Sequence, residues 1–385
     1  MFLQAVKERN PGLIDYAAQL HQTGAILPDT YVIDVDQVAE NARQLQRAAD
    51  ENDVELYFML KQIGRNPYLA KKVMEAGLEK AVVVDFREAQ VMMENNIPIG
   101  NIGHLVQVPE AFLEQVMTYG VDYITVYTLE KLRSINEAAH NLNIQQNVFL
   151  RVVDEEDNQY PGQYGGFKLD ELENIITELK GLAHVKVKGI TSFPCFLYSS
   201  EAGKIIPTPN LETMKTAARF FETNRIEITE FNTPSCTSVA NMPEIKRLGG
   251  TQGEPGHALT GTTPQHALTD LAEKPALLYV SEVSHNYDGH AYVYGGGYYR
   301  RGHLDKALFM EGDHREESKV LPFADSNIDY YLEVEEEHPV GSTVIMAFRT
   351  QIFVTRSEVA LVEGLSNGNP RLVGIYDSQG RLLRR

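Results

Sequence analysis

The chain has 385 residues, 43% of them hydrophobic, and a formal net charge of -18 at pH 7. That length favours two domains with a large core, and so acidic a surface excludes nucleic acid and anionic membrane as expected partners. Cys195 and Cys236 are the only cysteines, too few for a disulfide framework, so a reducing cytoplasm is expected. The opening MFLQAVKERNPG has no basic region followed by an apolar segment, and no apolar run approaches membrane-spanning length. Neither a signal peptide nor a membrane anchor is therefore expected.

Residues 1–29 read as helix and turn, closing at Leu27-Pro28-Asp29. The run TYVID at 30–34 is β-rich and precedes a helical stretch with Val38, Leu45 and Ala48-Ala49 on one side. From Glu55, strand-like runs recur at 55–60, 81–84, 101–106, 121–126, 147–153, 185–193, 226–232 and 248–254. Helical patterns lie between them, near 66–77, 86–95, 109–118, 128–142, 168–180 and 209–223. Pro67 and Pro109 suit first helical positions, and Gly77, Gly120 and Gly181 suit helix ends. Eight strands alternating with helices fit a (β/α)8 TIM-type barrel or a doubly wound sheet. No Gly-x-Gly-x-x-Gly follows the first strand, which favours the barrel over a dinucleotide-binding fold.

Near Lys274-Pro275 the rhythm changes to β-rich runs at 276–284, 290–294, 343–348, 351–354 and 370–376, with turns at Tyr287-Asp-Gly and Ser366-Asn-Gly. The expected fold is α/β. A barrel spans 36–272, a mostly β C-terminal domain spans 273–385, and residues 1–35 associate with the latter. The acidic run at 333–337 reads as a solvated strand end or turn.

Three stretches carry candidate chemistry. In ELYFMLK (55–61) four large apolar residues, Tyr57 to Leu60, end in Lys61, with Gly64 and Pro67 just beyond. Such a run suits a strand buried on both faces, which puts Lys61 at the carboxyl end where parallel α/β folds place their chemistry. A partly desolvated amine is a nucleophile able to form a Schiff base; the bland reading is a lysine reaching from a strand end to solvent. The second stretch, GGTQGEPGHALTGTTP (249–264), has small residues whose backbone N–H groups can form an anion nest suited to a phosphate. A structural turn is the alternative. Glu254 within it is unsuited to a phosphate and is expected to face another part of the ligand. The third, FNTPSCTS (231–238), offers hydroxyls and amides in a Ser/Thr-rich loop. A strand-end lysine, a phosphate loop and a buried acid together suggest pyridoxal 5′-phosphate (PLP).

Order and spacing resemble the alanine-racemase-like, fold type III PLP enzymes over nearly the whole chain, close to their bacterial YhfX branch. The matching stretches are YVIDVDQVAENARQL, YFMLKQIGRNP, VDFREAQVM, VFLRVVDEED…GGF, KVKGITSF and EPGHALTG. The resemblance implies that Lys61 holds PLP as an imine and that the backbone N–H groups of Gly256 and His257 hold the phosphate. It implies further that Ser235 and Thr237 lie in a second phosphate loop and that Arg151 is the basic residue ending the fifth barrel strand. Tyr294, in VYGGGYY, resembles the tyrosine that a partner subunit lends to the opposite face of the cofactor; Tyr298 is a rival.

The departures matter as well. Arg65 stands where alanine racemases have a tyrosine on the phosphate, and an arginine there suits the same anion. Glu254 stands where their pyridine nitrogen meets an arginine, as in the related basic-amino-acid decarboxylases. The Cys-Asp pair of those decarboxylases is not evident, and 345–353 (IMAFRTQIF) lacks the His-x-Cys or His-x-Asp motif of the metal-dependent relatives, so no metal is expected. His303, with Arg300 and Arg301, suits an acid–base group, a carboxylate-binding loop or an exposed basic turn. Cys195 and Cys236 admit a two-thiol racemase without cofactor, although buried cysteines are usually core residues. His104, His184 and His285 read as structural.

The implied function is a PLP-dependent amino-acid racemase acting at Cα through an imine to the substrate and a stabilised carbanion. Lys61 serves one face and Tyr294 of the second subunit of a homodimer serves the other. The alternatives are a metal-free lyase or decarboxylase acting on an amino acid or amine with the same cofactor, and a PLP carrier without catalysis.

Overall fold

A computed structural model describes residues 2–312 and 314–385, which form two compact units. One comprises Leu45–Leu60 and Gly77–Gly256; the other comprises the chain up to Gln44, Lys61–Ala76 and His257–Arg385. Among the described residues no helix is long and apolar enough to cross a membrane.

The first unit is an eight-stranded parallel barrel. Its strands are Glu55–Met59, Lys80–Val83, Ile99–Ile102, Tyr123–Val126, Gln146–Val153, Val185–Thr191, Glu230–Asn232 and Gln252–Gly253. The last pairs with the first, and each of the others with its successor, so the sheet closes on itself. Helices Phe86–Glu94 and Leu129–Asn141 begin at Asp85 and Thr128, whose side chains accept the N–H groups of Glu88 and Lys131. Because residues two apart share a face of a strand, the inward positions are fixed by register. Tyr123 and Thr125 point inward, as do Phe149 and Arg151, Gly189 and Thr191, Glu230 and Asn232, and Gln252 and Glu254.

Toward the amino ends lies an aromatic layer. The rings of Tyr123 and Phe149 stack at 4.2 Å, and Tyr57 tilts against Tyr123 at 6.5 Å. Gly189 leaves room for Phe149, since a Cβ there would sit 2.6 Å from that ring. Beneath them Glu55 accepts from Tyr57 Oη at 2.9 Å and from Gln252 Nε2 at 3.2 Å. Toward the carboxyl ends the interior turns polar. One register irregularity sets it: Ala81 pairs with Ile99 but Val82 with Asn101, leaving Gly100 as an extra residue. This bulge brings Asn101 to the inner face and seats Gly100 against the Tyr57 ring.

The second unit is built on a mixed sheet ordered His314–Lys319, Lys306–Glu311, Thr343–Met346, Leu277–Tyr287, Thr30–Asp34, Glu358–Glu363, Arg371–Tyr376 and Leu382–Arg384. Strand His290–Tyr294 pairs with Leu277–Tyr287 and carries Tyr331–Val334 at its other side. Thr30–Asp34 is wholly buried in the centre, antiparallel to one neighbour and parallel to the other. Helices Phe2–Arg9 and Pro11–Gln22 cover one face, packing Leu3, Val6, Leu13 and Ile14 on Val32, Leu278, Ile345 and Ala360. The sequence pattern is corrected at 351–354, where Ile352–Val354 is a 3-10 turn and not a strand. The Gln379 side chain donates to the Phe353 carbonyl and takes the place of a strand partner. Pro109 likewise caps the turn Glu110–Phe112 without lying inside it.

Asp29 enters this sheet in the left-handed region (φ 62°) and accepts from Tyr279 Oη at 2.8 Å and from Ser357 Oγ. Burial pushes its carboxyl up to about 6 from 3.8, against the opposing effect of those two donors and of Arg356.

Two predictions follow from the packing. Gly100→Ala should lower the unfolding free energy by about 1–3 kcal/mol through overlap with Tyr57, read by urea denaturation; an unchanged midpoint would contradict the bulge. For Asp29, the folded state binds the proton more tightly than the unfolded one. Its stabilisation is complete below pH 3.8 and lost as the pH rises through about 6, a change of up to about 3 kcal/mol. Relative to Asp29→Asn, the wild-type protein should therefore lose stability between pH 4 and 6.5 in chemical denaturation; parallel pH profiles would argue against it.

Candidate active site

Inside the barrel the polar layer converges on Glu254, which is 7% exposed. Asn232 Nδ2 donates to Glu254 Oε1 at 3.0 Å and Asn101 Nδ2 donates to the same oxygen at 3.3 Å. Each amide is itself oriented by a threonine. Thr191 Oγ1 donates to Asn232 Oδ1 at 2.9 Å, and Thr125 Oγ1 to Asn101 Oδ1 at 2.8 Å. Two Thr–Asn relays from four strands thus hold one oxygen. The other, Oε2, lies 3.6 Å from His104 Nε2. Glu254 N donates to Thr237 Oγ1 at 3.0 Å, tying the acid to the Ser/Thr-rich loop.

Arg151 is fully buried beside this layer. It donates to Tyr127 Oη at 2.7 Å and to the Gln163 carbonyl at 2.9 Å, with its guanidinium 4.9 Å over the Tyr127 ring. Tyr127 in turn donates to the His104 carbonyl. Burial raises the Tyr127 hydroxyl and Arg151 opposes the rise, so Tyr127 stays a neutral link. In the loop beyond Glu230–Asn232, Ser235 and Cys236 both take left-handed backbone (φ 88° and 53°), and Ser235 Oγ donates to the Phe196 carbonyl at 2.8 Å. Ser238 Oγ and Asn241 Nδ2 are buried there without a partner. Burial pushes the Cys195 thiol far up, which leaves it a neutral group and a poor base.

Lys61 and His257 belong to the other unit, each one residue beyond the barrel unit's chain. The covalent connection is short. Strand Glu55–Met59 ends two residues before Lys61, its neighbour Gln252–Gly253 ends just before Glu254, and Met59 N donates to the Pro255 carbonyl at 2.9 Å. Lys61 opens the turn Lys61–Ile63, which Thr350 Oγ1 fastens by donating to the Gln62 carbonyl at 2.7 Å. Arg65 is 3% exposed with φ 53°; it donates to Gln379 Oε1 at 2.7 Å and lies 4.8 Å over the Phe353 ring. Burial, then the positive charges of Arg349 and Lys61, hold the His257 imidazole well below its usual value, so it is neutral. Its Nδ1 lies 3.3 Å from Thr262 Oγ1, and its Nε2 is buried without a partner.

Tyr294 ends its strand opposite Tyr331, with ring centroids 5.8 Å apart. The rival Tyr298 packs on Phe323 and Phe348, and burial raises its hydroxyl. Arg300 pairs with Asp325, while His303 (φ 58°) is lowered by burial and by Arg349. Asn101, Asn232, Thr125 and Thr191, which hold Glu254, carry no mark in the sequence, and His104, expected to be structural, lies beside the same carboxylate. Only the position of His104 two residues past a barrel strand marked it out. Among the described residues no three His, Cys, Asp or Glu side chains group as metal ligands.

Residues 33–264 match the alanine racemase N-terminal domain, and residues 278–372 match the YhfX-like C-terminal domain. Over 385 residues the chain is 44% identical to protein YhfX of Escherichia coli (strain K12), covering 100% of both. Among solved structures it resembles alanine racemase of Clostridium difficile 630 in complex with cycloserine, with a TM-score of 0.63 and 17% identity, covering 90% of this chain and 98% of that one. It also resembles D-threonine aldolase from Filomicrobium marinum, with a TM-score of 0.66 and 14% identity, covering 91% and 94%. At these identities the structural likeness is one of fold.

The relay makes a graded prediction. Asn232→Ala should cost about 1–3 kcal/mol of unfolding free energy by taking a donor from a buried acid, Asn101→Ala less, and Thr191→Val or Thr125→Val least. Urea unfolding of the four variants checks the order; outer losses as large as inner ones would refute it.

Proposed function

Because the chain belongs to the alanine racemase-type family, in the branch with a YhfX-like C-terminal domain, we propose that it is a PLP-dependent racemase of an amino acid. The observation that carries the reading is the clamped carboxylate of Glu254 at the carboxyl end of a barrel strand whose neighbour runs directly into Lys61. The residues fit the cofactor on three counts. Lys61 is an amine on a fastened turn, Glu254 is a buried acid for a ring nitrogen, and Ser238 Oγ, Asn241 Nδ2 and His257 Nε2 are buried polar atoms without protein partners. Gly256, His257, Ser235, Thr237 and Arg65 are the residues we assign to the phosphate, and Arg151 to the basic position beside the ring.

When bound, PLP supplies an aldehyde for the substrate amine and a protonated ring that draws electrons from Cα. Glu254 keeps that ring nitrogen protonated, and the two asparagines hold the acid in place while it does so. Lys61 Nζ would remove the α-proton of one enantiomer on its face and deliver a proton there to the other enantiomer. In each turnover Tyr294 Oη, from a second copy, would act in the opposite sense on the other face, delivering a proton when Lys61 removes one and removing it when Lys61 delivers. Inversion needs a group on each face, which makes a homodimer with shared sites part of the proposal.

A clamped acid opposite the ring also supports a second reading, a metal-free lyase or decarboxylase, because a stronger electron sink serves carbon–carbon cleavage as readily as proton transfer. Solvent deuterium entering Cα without consumption of the amino acid favours racemisation; release of carbon dioxide or an aldehyde favours the second reading. Lys61→Ala should abolish both the visible absorbance of the PLP-loaded protein and all turnover. Wild-type protein that takes up no PLP would end the proposal.

A further inference from the structure

A cleft of about 310 Å³ lies beside Tyr294, lined by Pro28, Asp29, Gly295, Tyr330, Tyr331 and Arg356. Its lining has a definite chemistry: one carboxylate, one guanidinium and three tyrosine rings. Both charged groups are oriented. Asp29 is fixed by Tyr279 and Ser357. Arg356 donates one N–H to the Asp329 carbonyl and lies 5.9 Å from the centre of the Tyr330 ring. Gly295 admits no side chain, since a Cβ there would sit 2.7 Å from Asp329 Oδ1.

We propose that this cleft binds a free amino acid in its zwitterionic form, with the carboxylate on Arg356, the ammonium on Asp29 and the side chain against Tyr330 and Tyr331. The lining carries one charge of each sign, with the Asp329 carboxylate acting on both from behind it, so a plain anion gains little here and a dipolar ligand satisfies both lining groups together. The tyrosine rings give area for an apolar side chain and carry a face attractive to an ammonium. The cleft shares Tyr294 with the proposed catalytic pair, so an amino acid held here is delivered next to the group assigned to one face. The choice of ligand rests on the amino-acid reading above; the site itself needs no covalent step.

The test uses the PLP-loaded wild-type protein and a ligand that cannot form an imine, N,N-dimethylphenylalanine, which keeps both charges. Titration calorimetry should show saturable binding, at least tenfold weaker for N-acetylphenylalanine, which lacks the cation, and for the N,N-dimethylphenylalanine methyl ester, which lacks the anion. Arg356→Gln, at an exposed position, should weaken the zwitterion tenfold and remove its advantage over the ester. Tyr330→Ala, also exposed, should weaken all three. Absence of saturable binding overturns the proposal, as does equal binding of the three ligands or an Arg356→Gln variant that still discriminates. The visible absorbance of bound PLP reports separately on the catalytic reading and is independent of these outcomes.

Discussion

Burying a carboxylate costs several kcal/mol unless polar groups replace the water it loses, and Glu254 is buried inside a closed barrel. The replacement is built from neighbouring strands. Asparagines on two strands reach the same oxygen, and threonines on two further strands hold those asparagines by their carbonyl ends. Each amide is thereby turned with its NH2 toward the acid, so orientation is set by the network and not by one contact. Oε1 is thereby committed to the two amides, while Oε2 lies 3.6 Å from His104 Nε2.

Much of the architecture was legible because fully buried parallel strands read as short apolar runs bounded by Gly and Pro; each of the eight barrel strands overlaps such a run, although Ile99–Ile102 shares only residues 101 and 102 with the run expected at 101–106. The C-terminal sheet was harder. His314–Lys319 reads HREESK, with no apolar alternation, and is a strand only because Lys306–Glu311 pairs with it. At 351–354 the apolar run IFV looked like a strand, yet Gln379, a distant residue, claims the Phe353 carbonyl. In the site, Lys61 and Glu254 stood out from their surroundings. The relay did not, because Asn101, Thr125, Thr191 and Asn232 are lone polar residues on four strands, and only barrel closure brings them together.

The turn that carries Lys61 depends on residues nearly three hundred positions further along the chain. Thr350 fastens the Gln62 carbonyl, Gln379 takes the Arg65 guanidinium, and Gly64 packs on Ile352 and Val359. The C-terminal sheet is therefore part of what fixes the amine. Arg65, assigned above to the phosphate, is integrated into the same fastening.

The bulge at Gly100 has a consequence for how this barrel tolerates change in length. Side chains alternate between the two faces of a strand, so one residue more or fewer inverts the parity of everything beyond it. Because Gly100 is itself the extra residue, deleting it would leave Asn101 paired with Val82 and facing inward; one further residue inserted between Ile99 and Asn101 has no such outlet and would turn Asn101 out toward the helices, leaving the acid leaning on a single amide. Lineages carrying this fold should therefore accept loss of one residue at this point of the strand more readily than gain of one.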